Sequence, residues 1–174
     1  MSVVATLGMG LLFVGGVLFV NGLWLRGHGS NQDVAIFNLL TGSITFLIVL
    51  WWAFGGSATN GTVFNAAGTL LFSFTYLWLA ANAYRGIEDQ RSFGYYCLFV
   101  ATVAVPTGYL VLRGGDIGLA GLWWLWAALW AVFFVNLGLE REGITEAVGG
   151  FTSVVGVVTG TAGYIMVTGF WPII

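Results

Sequence analysis

Six apolar runs, each about 20 residues long, are separated along this chain by short clusters of charge; about 20 residues is what an α-helix needs to cross a bilayer core of about 30 Å. A backbone in hydrocarbon must satisfy every N–H and C=O within its own segment, so such runs fold as helices. A transmembrane β-barrel would show shorter, alternating segments instead. The pattern predicts spans over 3–25, 34–54, 63–84, 93–112, 117–138 and roughly 148–171. The first run lacks a basic leading segment, exceeds the length of a signal-peptide core and offers no cleavage site, so it reads as a span. The expected fold is an all-α membrane protein, one six-helix transmembrane domain over residues 1–174.

Composition agrees and narrows the function. Of 174 residues, 59% are hydrophobic and 7% are charged, where a soluble domain would carry charge on roughly a quarter. Arg26, Arg85, Arg91 and Arg141 follow spans one, three and five, while Arg113 alone follows an even-numbered span. The positive-inside rule then expects both termini outside the cytoplasm. The single cysteine, Cys97, excludes an internal disulfide, and a net charge of −2 on thin loops leaves no nucleic-acid footprint. No charged side chain lies firmly inside a span; Glu146, at the start of span six, comes nearest. Ion-coupled transporters and pumps need titratable groups or ion ligands at depth. The absence of lysine excludes a retinal Schiff base. No His, Cys or carboxylate cluster has the makings of a metal site, and no nucleophile has a base beside it. The expectation is a protein with no cofactor, no metal and no enzymatic activity.

The spans are rich in glycine, 27 in all. Gly8, Gly15 and Gly22 repeat every seven residues along span one, and Gly156, Gly160 and Gly163 share a face of span six. Small residues let helices approach closely in lipid, so these faces predict packing within or between subunits. Pro106 removes a backbone donor from span four and predicts a kink. Asn38, Thr41 and Thr45 share one face of span two, and Asn21, Asn82 and Asn136 sit near the ends of odd-numbered spans. Interhelical hydrogen bonds and helix capping ordinarily explain such residues; a pathway offering hydrogen bonds without charge is the alternative.

Aromatic residues are also in surplus: 9 Trp, 14 Phe and 6 Tyr. Interfacial anchoring accounts for many. Two sets fit it poorly. Trp123, Trp126 and Trp130 lie at i, i+3 and i+7 of span five, extended by Phe134; in span three Phe74 and Trp78 lie at i and i+4, with Ala81 below. Span one carries a matching stripe of Leu7, Leu11, Val14, Leu18 and Asn21. A tryptophan stripe in a bundle is ordinarily core, and the other reading is the wall of a pore.

The stretches Leu70-Leu71-Phe72-Ser73-Phe74-Thr75-Tyr76-Leu77-Trp78, Tyr95-Tyr96-Cys97-Leu98-Phe99-Val100-Ala101 running on to Pro106, and Leu122-Trp123-Trp124-Leu125-Trp126-Ala127-Ala128-Leu129-Trp130 resemble the AmiS/UreI family of amide and urea channels. Val14-Gly15 and Asn21-Gly22 fit as well, so the resemblance covers nearly the whole chain. It implies a six-helix protomer in a homohexameric ring in a prokaryotic cytoplasmic membrane, each protomer with its own pore and both termini outside. It also implies that Phe74, Trp78, Trp126, Leu129 and Trp130 narrow the pore, that Trp123 extends their wall, and that Leu7, Leu11, Val14 and Leu18 form its aliphatic lining. Two departures stand out. Thr159 occupies the position of a glutamate common in the family, a pore-facing polar contact by resemblance. Acid-gated members carry a long outer loop rich in histidine, whereas the corresponding loop here, about Gly55 to Thr62, is short and untitratable, with the sole histidine, His28, on the other side. The expected function is passive passage of urea or short aliphatic amides, not gated by acid. An ion-coupled transporter for the same solutes and a structural membrane protein without a pore remain the alternatives.

Overall fold

The computed structural model describes residues 2–171. Six helices run antiparallel in sequence: α1 (Val3–Leu25), α2 (Asn31–Phe54), α3 (Asn60–Arg85), α4 (Arg91–Arg113), α5 (Ile117–Phe133, prolonged by a π-turn over Phe134–Gly138) and α6 (Thr145–Val167). All six are long and apolar enough to cross a membrane. The first and fifth spans keep their expected bounds. The second and third begin three residues earlier than the hydrophobic pattern alone predicts, because capping residues precede it. Ser30 accepts the amide of Asp33 at 3.1 Å, and Thr59 and Thr62 form a reciprocal capping box. Such caps satisfy amide groups that the first helical turn leaves without partners. The sixth helix spans 145–167 rather than 148–171, stopping before Gly169, whose φ of 82° breaks it. Helix α4 continues through Pro106.

The helices associate as three close pairs, α1 with α6, α2 with α3 and α4 with α5, with looser contacts between neighbouring pairs. The α1–α6 pair explains the two glycine stripes. A Cβ on Gly15 would fall on the backbone of Gly160, one on Gly163 on the backbone of Leu12, and one on Gly22 on Ser153. The helices therefore touch backbone to backbone, the arrangement that drives association where lipid supplies no hydrophobic effect. Both stripes are used within one protomer, so they carry no argument for contacts between subunits. In the α2–α3 pair, Gly42 receives the Leu77 side chain. In the third pair, Gly94 of α4 lies against Gly138 at the end of the π-turn.

Several polar side chains in the spans are buried and bond one another, although the Thr41 hydroxyl is buried without a partner among the described residues. Ser73 donates to Thr45 Oγ1 at 3.0 Å, linking α3 to α2, and Thr45 in turn donates to the carbonyl oxygen of Thr41 at 2.8 Å. Asn82 and Asn136 tie down helix ends: Asn82 donates to Gln90 Oε1 at 2.7 Å, and Asn136 to the carbonyl of Arg141 at 3.0 Å and to Thr145 Oγ1 at 2.9 Å. At the end bearing the α3–α4 connection, Arg91 grips Asp89 with Nε–Oδ1 3.0 Å and Nη2–Oδ2 2.6 Å. That hydrogen-bonded guanidinium holds the Asp89 carboxyl down at about 2, so it stays ionised throughout the physiological range.

Candidate functional site

Between the helix pairs lie two small cavities, stacked along the bundle. The one toward the end that bears the α2–α3 and α4–α5 connections, called outer after the orientation expected above, is about 40 Å³. It is bounded by the N-terminal halves of α1, α3 and α5 and the C-terminal halves of α2 and α4; Leu7, Leu11, Val14, Thr45, Thr69 and Trp123 line it. The inner one, about 30 Å³, is bounded by the opposite halves of α1, α3, α4 and α5 and by α6; Leu18, Asn21, Thr75, Tyr76, Leu129, Trp130 and Thr152 line it. Each exceeds the roughly 10–15 Å³ that a single water-sized molecule requires. No Asp, Glu, Lys, Arg or His lines either cavity among the described residues.

Two side chains line both cavities and form the partition between them: Phe72 of α3 and Trp126 of α5. Their rings meet edge to face, with centroids 4.8 Å apart and planes at 83°. Phe72 also lies 4.8 Å from Trp130 and 6.0 Å from Trp123, so it packs against the whole tryptophan stripe. Edge-to-face contact sets the positive rim of one ring against the negative face of another. It fixes ring orientation without a covalent or ionic tie.

The structure therefore brings together most of the expected pathway residues. Leu7, Leu11, Val14 and Trp123 lie on the outer cavity, Leu18, Leu129 and Trp130 on the inner, and Trp126 on both. Phe74 and Trp78 are elsewhere. They are 44% and 37% exposed on the outside of the protomer, where Trp78 packs on Phe93 and Tyr96 of α4 at 5.8 and 5.6 Å. The residues facing the tryptophans are Phe72 and Tyr76, about 200° around the helix from Phe74 by its 100° step per residue. A hydroxyl signal marks that face in the sequence: Thr69, Phe72, Ser73 and Tyr76 follow an i, i+3, i+4, i+7 pattern, and all are buried. Hydrocarbon tolerates aromatic rings but not unsatisfied hydroxyls, so the hydroxyl-bearing face turns inward and the purely aromatic one outward.

Thr159, fully buried on α6, stands behind the partition. Its Oγ1 accepts a 3.0 Å hydrogen bond from Trp126 Nε1. The indole N–H is a donor only, so this bond sets which edge of Trp126 faces the partition. Thr159→Val keeps the shape and removes the acceptor. It is expected to lower stability by about 1–3 kcal/mol, the cost of orphaning a buried donor, while Thr159→Ser, which keeps the acceptor, should cost less. Thermal unfolding of purified protein reads both; equal melting of Thr159→Val and wild type would mean the bond contributes nothing.

Known proteins place this arrangement. The AmiS/UreI transporter family matches residues 6–170. The chain is 36% identical to transporter protein AmiS2 of Rhodococcus erythropolis over 142 residues, 81% of this chain and 68% of that one. It is 34% identical over 168 residues to an amidate substrates transporter protein of Mycolicibacterium smegmatis, covering 94% of this chain and 78% of that one. The crystal structure of the Helicobacter pylori urea channel superposes with a TM-score of 0.82 at 25% identity, over 95% of this chain and 99% of the channel. Its relatives are transporters and channels rather than enzymes. Six apolar helices around an uncharged, aromatic-partitioned pair of cavities thus belong to a multi-pass membrane protein of the AmiS/UreI family, whose members carry amides and urea.

Proposed function

We propose that the chain is a passive channel for urea and short aliphatic amides, without ion coupling or cofactor, working as a homohexamer in a prokaryotic cytoplasmic membrane with both termini outside. One observation carries the reading: the only partition between the two cavities among the described residues is a contact of uncharged aromatic rings, Phe72 on Trp126. Urea and acetamide are thin, planar and neutral, so they slip edgewise between ring faces once the rings part slightly. Their N–H groups find weak partners in the π-systems. A hydrated ion would shed water with nothing charged in return. Weak contacts also suit passive flux, which requires solutes to leave as readily as they enter.

Stopped-flow swelling of proteoliposomes in urea, acetamide and glycerol tests this. Rapid entry of urea or acetamide, insensitive to imposed proton or sodium gradients, is expected. Entry driven by either gradient would replace the channel with a coupled transporter, and no added permeability would leave a structural protein. A mass of one protomer in both mild detergent and native lipid would overturn the ring.

The channel is also expected to ignore external acid. Histidine is the side chain whose ordinary titration falls between pH 5 and 8. The connections at the outer end, 55–59 and 114–116, contain none, and His28 lies at the opposite end. Asp116, the carboxylate there, is engaged as the α5 cap by the Leu119 amide at 2.8 Å and by Trp171 Nε1 at 2.9 Å. Permeability should change less than about twofold between external pH of about 7.5 and about 5. A steep rise abolished by Asp116→Asn would show that this carboxylate gates the pore after all.

A further inference from the structure

The inner cavity has a polar wall that the aromatic partition leaves without a role. Asn21 of α1 lines it, and its carboxamide is paired reciprocally with that of Asn38 on α2. Asn21 Nδ2 donates to Asn38 Oδ1 at 3.0 Å, and Asn38 Nδ2 donates to Asn21 Oδ1 at 2.7 Å. Both side chains are buried, with 3% and 0% exposure. The second N–H of Asn38 goes to the carbonyl oxygen of Val34 at 2.9 Å. That carbonyl can only accept, so Asn38 cannot be turned over without setting two oxygens against each other. With Asn38 fixed, Asn21 is fixed as well.

A primary carboxamide has two N–H donors and an oxygen with two lone pairs. Asn38 uses both donors. Asn21 spends one donor and one lone pair on Asn38, which leaves one N–H free on a side chain whose open side is the cavity. Thr75 and Thr152 line the same cavity, and their hydroxyls donate to the carbonyls of Leu71 and Val148, each at 2.7 Å, so their oxygens remain as acceptors. The wall thus offers one amide donor and two hydroxyl acceptors, the complement of a molecule carrying a carbonyl and N–H groups.

We propose that Asn21 donates a hydrogen bond to the carbonyl oxygen of a permeating amide or urea in the inner cavity, and that Asn38 is the positioning residue that aims it. The inference rests on the channel reading above. A carbonyl stripped of water in an apolar cavity is destabilised unless a donor replaces the lost hydrogen bond. Asn21 supplies that donor past the aromatic partition, where the solute is driest. Alcohols and thioamides, with a different or weaker acceptor, gain less from it.

The test compares acetamide with thioacetamide, nearly alike in shape but with sulfur as a poor acceptor, in proteoliposomes corrected for protein-free vesicles. The acetamide-to-thioacetamide flux ratio is expected to fall about threefold to tenfold in Asn21→Leu, the loss of one hydrogen bond. The ratio should also fall, by less, in Asn38→Leu, where Asn21 is free to rotate. Asn21→Leu leaves Asn38 buried without its partner, so the double variant Asn21→Leu/Asn38→Leu, apolar on both sides, secures a folded protein; it should show the full fall. A general loss of packing would lower both fluxes together and leave the ratio alone. An unchanged ratio in folded single or double variants would overturn the inference and leave the pair as helix glue, with the channel intact. A wild-type protein that passes no amide would overturn the channel reading and this inference with it.

Discussion

Gly15→Ala is expected to leave no folded protomer. The added methyl group would land on the backbone nitrogen and Cα of Gly160, with the Gly156 carbonyl oxygen 2.7 Å away. None of these atoms belongs to a side chain that could swing aside. Overpacking a protein interior typically costs about 1–3 kcal/mol when side chains can shift. Here two helix backbones must separate, and the whole seam from Gly8 to Gly22 opens with them. Fluorescence-detected size-exclusion chromatography in mild detergent should show aggregated or absent protein. Gly121→Ala in α5 is the matched control. A Cβ there meets nothing within 4 Å, and the change should be neutral or stabilise by up to about 1 kcal/mol through helix propensity. A Gly15→Ala protein that elutes and melts like wild type would mean that α1 and α6 do not pack through their glycines.

Phe72→Ala should change selectivity more than any other single substitution on α3. It removes one half of the ring contact that divides the cavities, so larger solutes gain a path. Glycerol entry relative to acetamide should rise on the order of tenfold, which corresponds to about 1.4 kcal/mol of barrier. Truncating a buried Phe also costs about 3–5 kcal/mol of stability, so Phe72→Leu serves where the alanine variant folds poorly. Phe74→Ala, two residues away but 44% exposed on the outside, should leave the ratio unchanged. The pair decides which face of α3 the solute meets. A ratio that responds to Phe74 and not to Phe72 would reverse the assignment.

These two positions also mark where reading the sequence succeeds and where it stops. The span count was legible because hydrocarbon admits so few backbone arrangements; the bounds slipped most where a Ser or Thr cap lay ahead of the apolar run, in α2 and α3, and at the glycine that ends α6. The α5 tryptophans and the α1 aliphatic stripe could be picked out because each follows helical spacing through otherwise featureless runs. The α3 face was not, because Phe72, Phe74, Tyr76 and Trp78 alternate so closely that either side looks aromatic. Ring size carries no directional information in lipid; hydroxyl placement does, as Thr69 and Ser73 show. The glycines revealed close approach but not the partner, since a stripe on one helix looks the same whether its complement belongs to the same chain or another. Thr159 could be singled out by position, but its bond to Trp126 needed coordinates.

The α1–α6 seam has a consequence for how the protein is made. It is the most extensive helix pairing in the bundle, and it joins the earliest of the six described spans to leave the ribosome with the latest of them. Until α6 enters the bilayer, the glycine face of α1 has no mate, and its neighbour α2 is occupied mainly with α3. Assembly of the six-helix bundle therefore closes with a clasp rather than growing outward from a finished start. Nascent chains halted after α5 should remain protease-sensitive and open to capture by membrane chaperones, and should pass abruptly to a resistant form once α6 inserts.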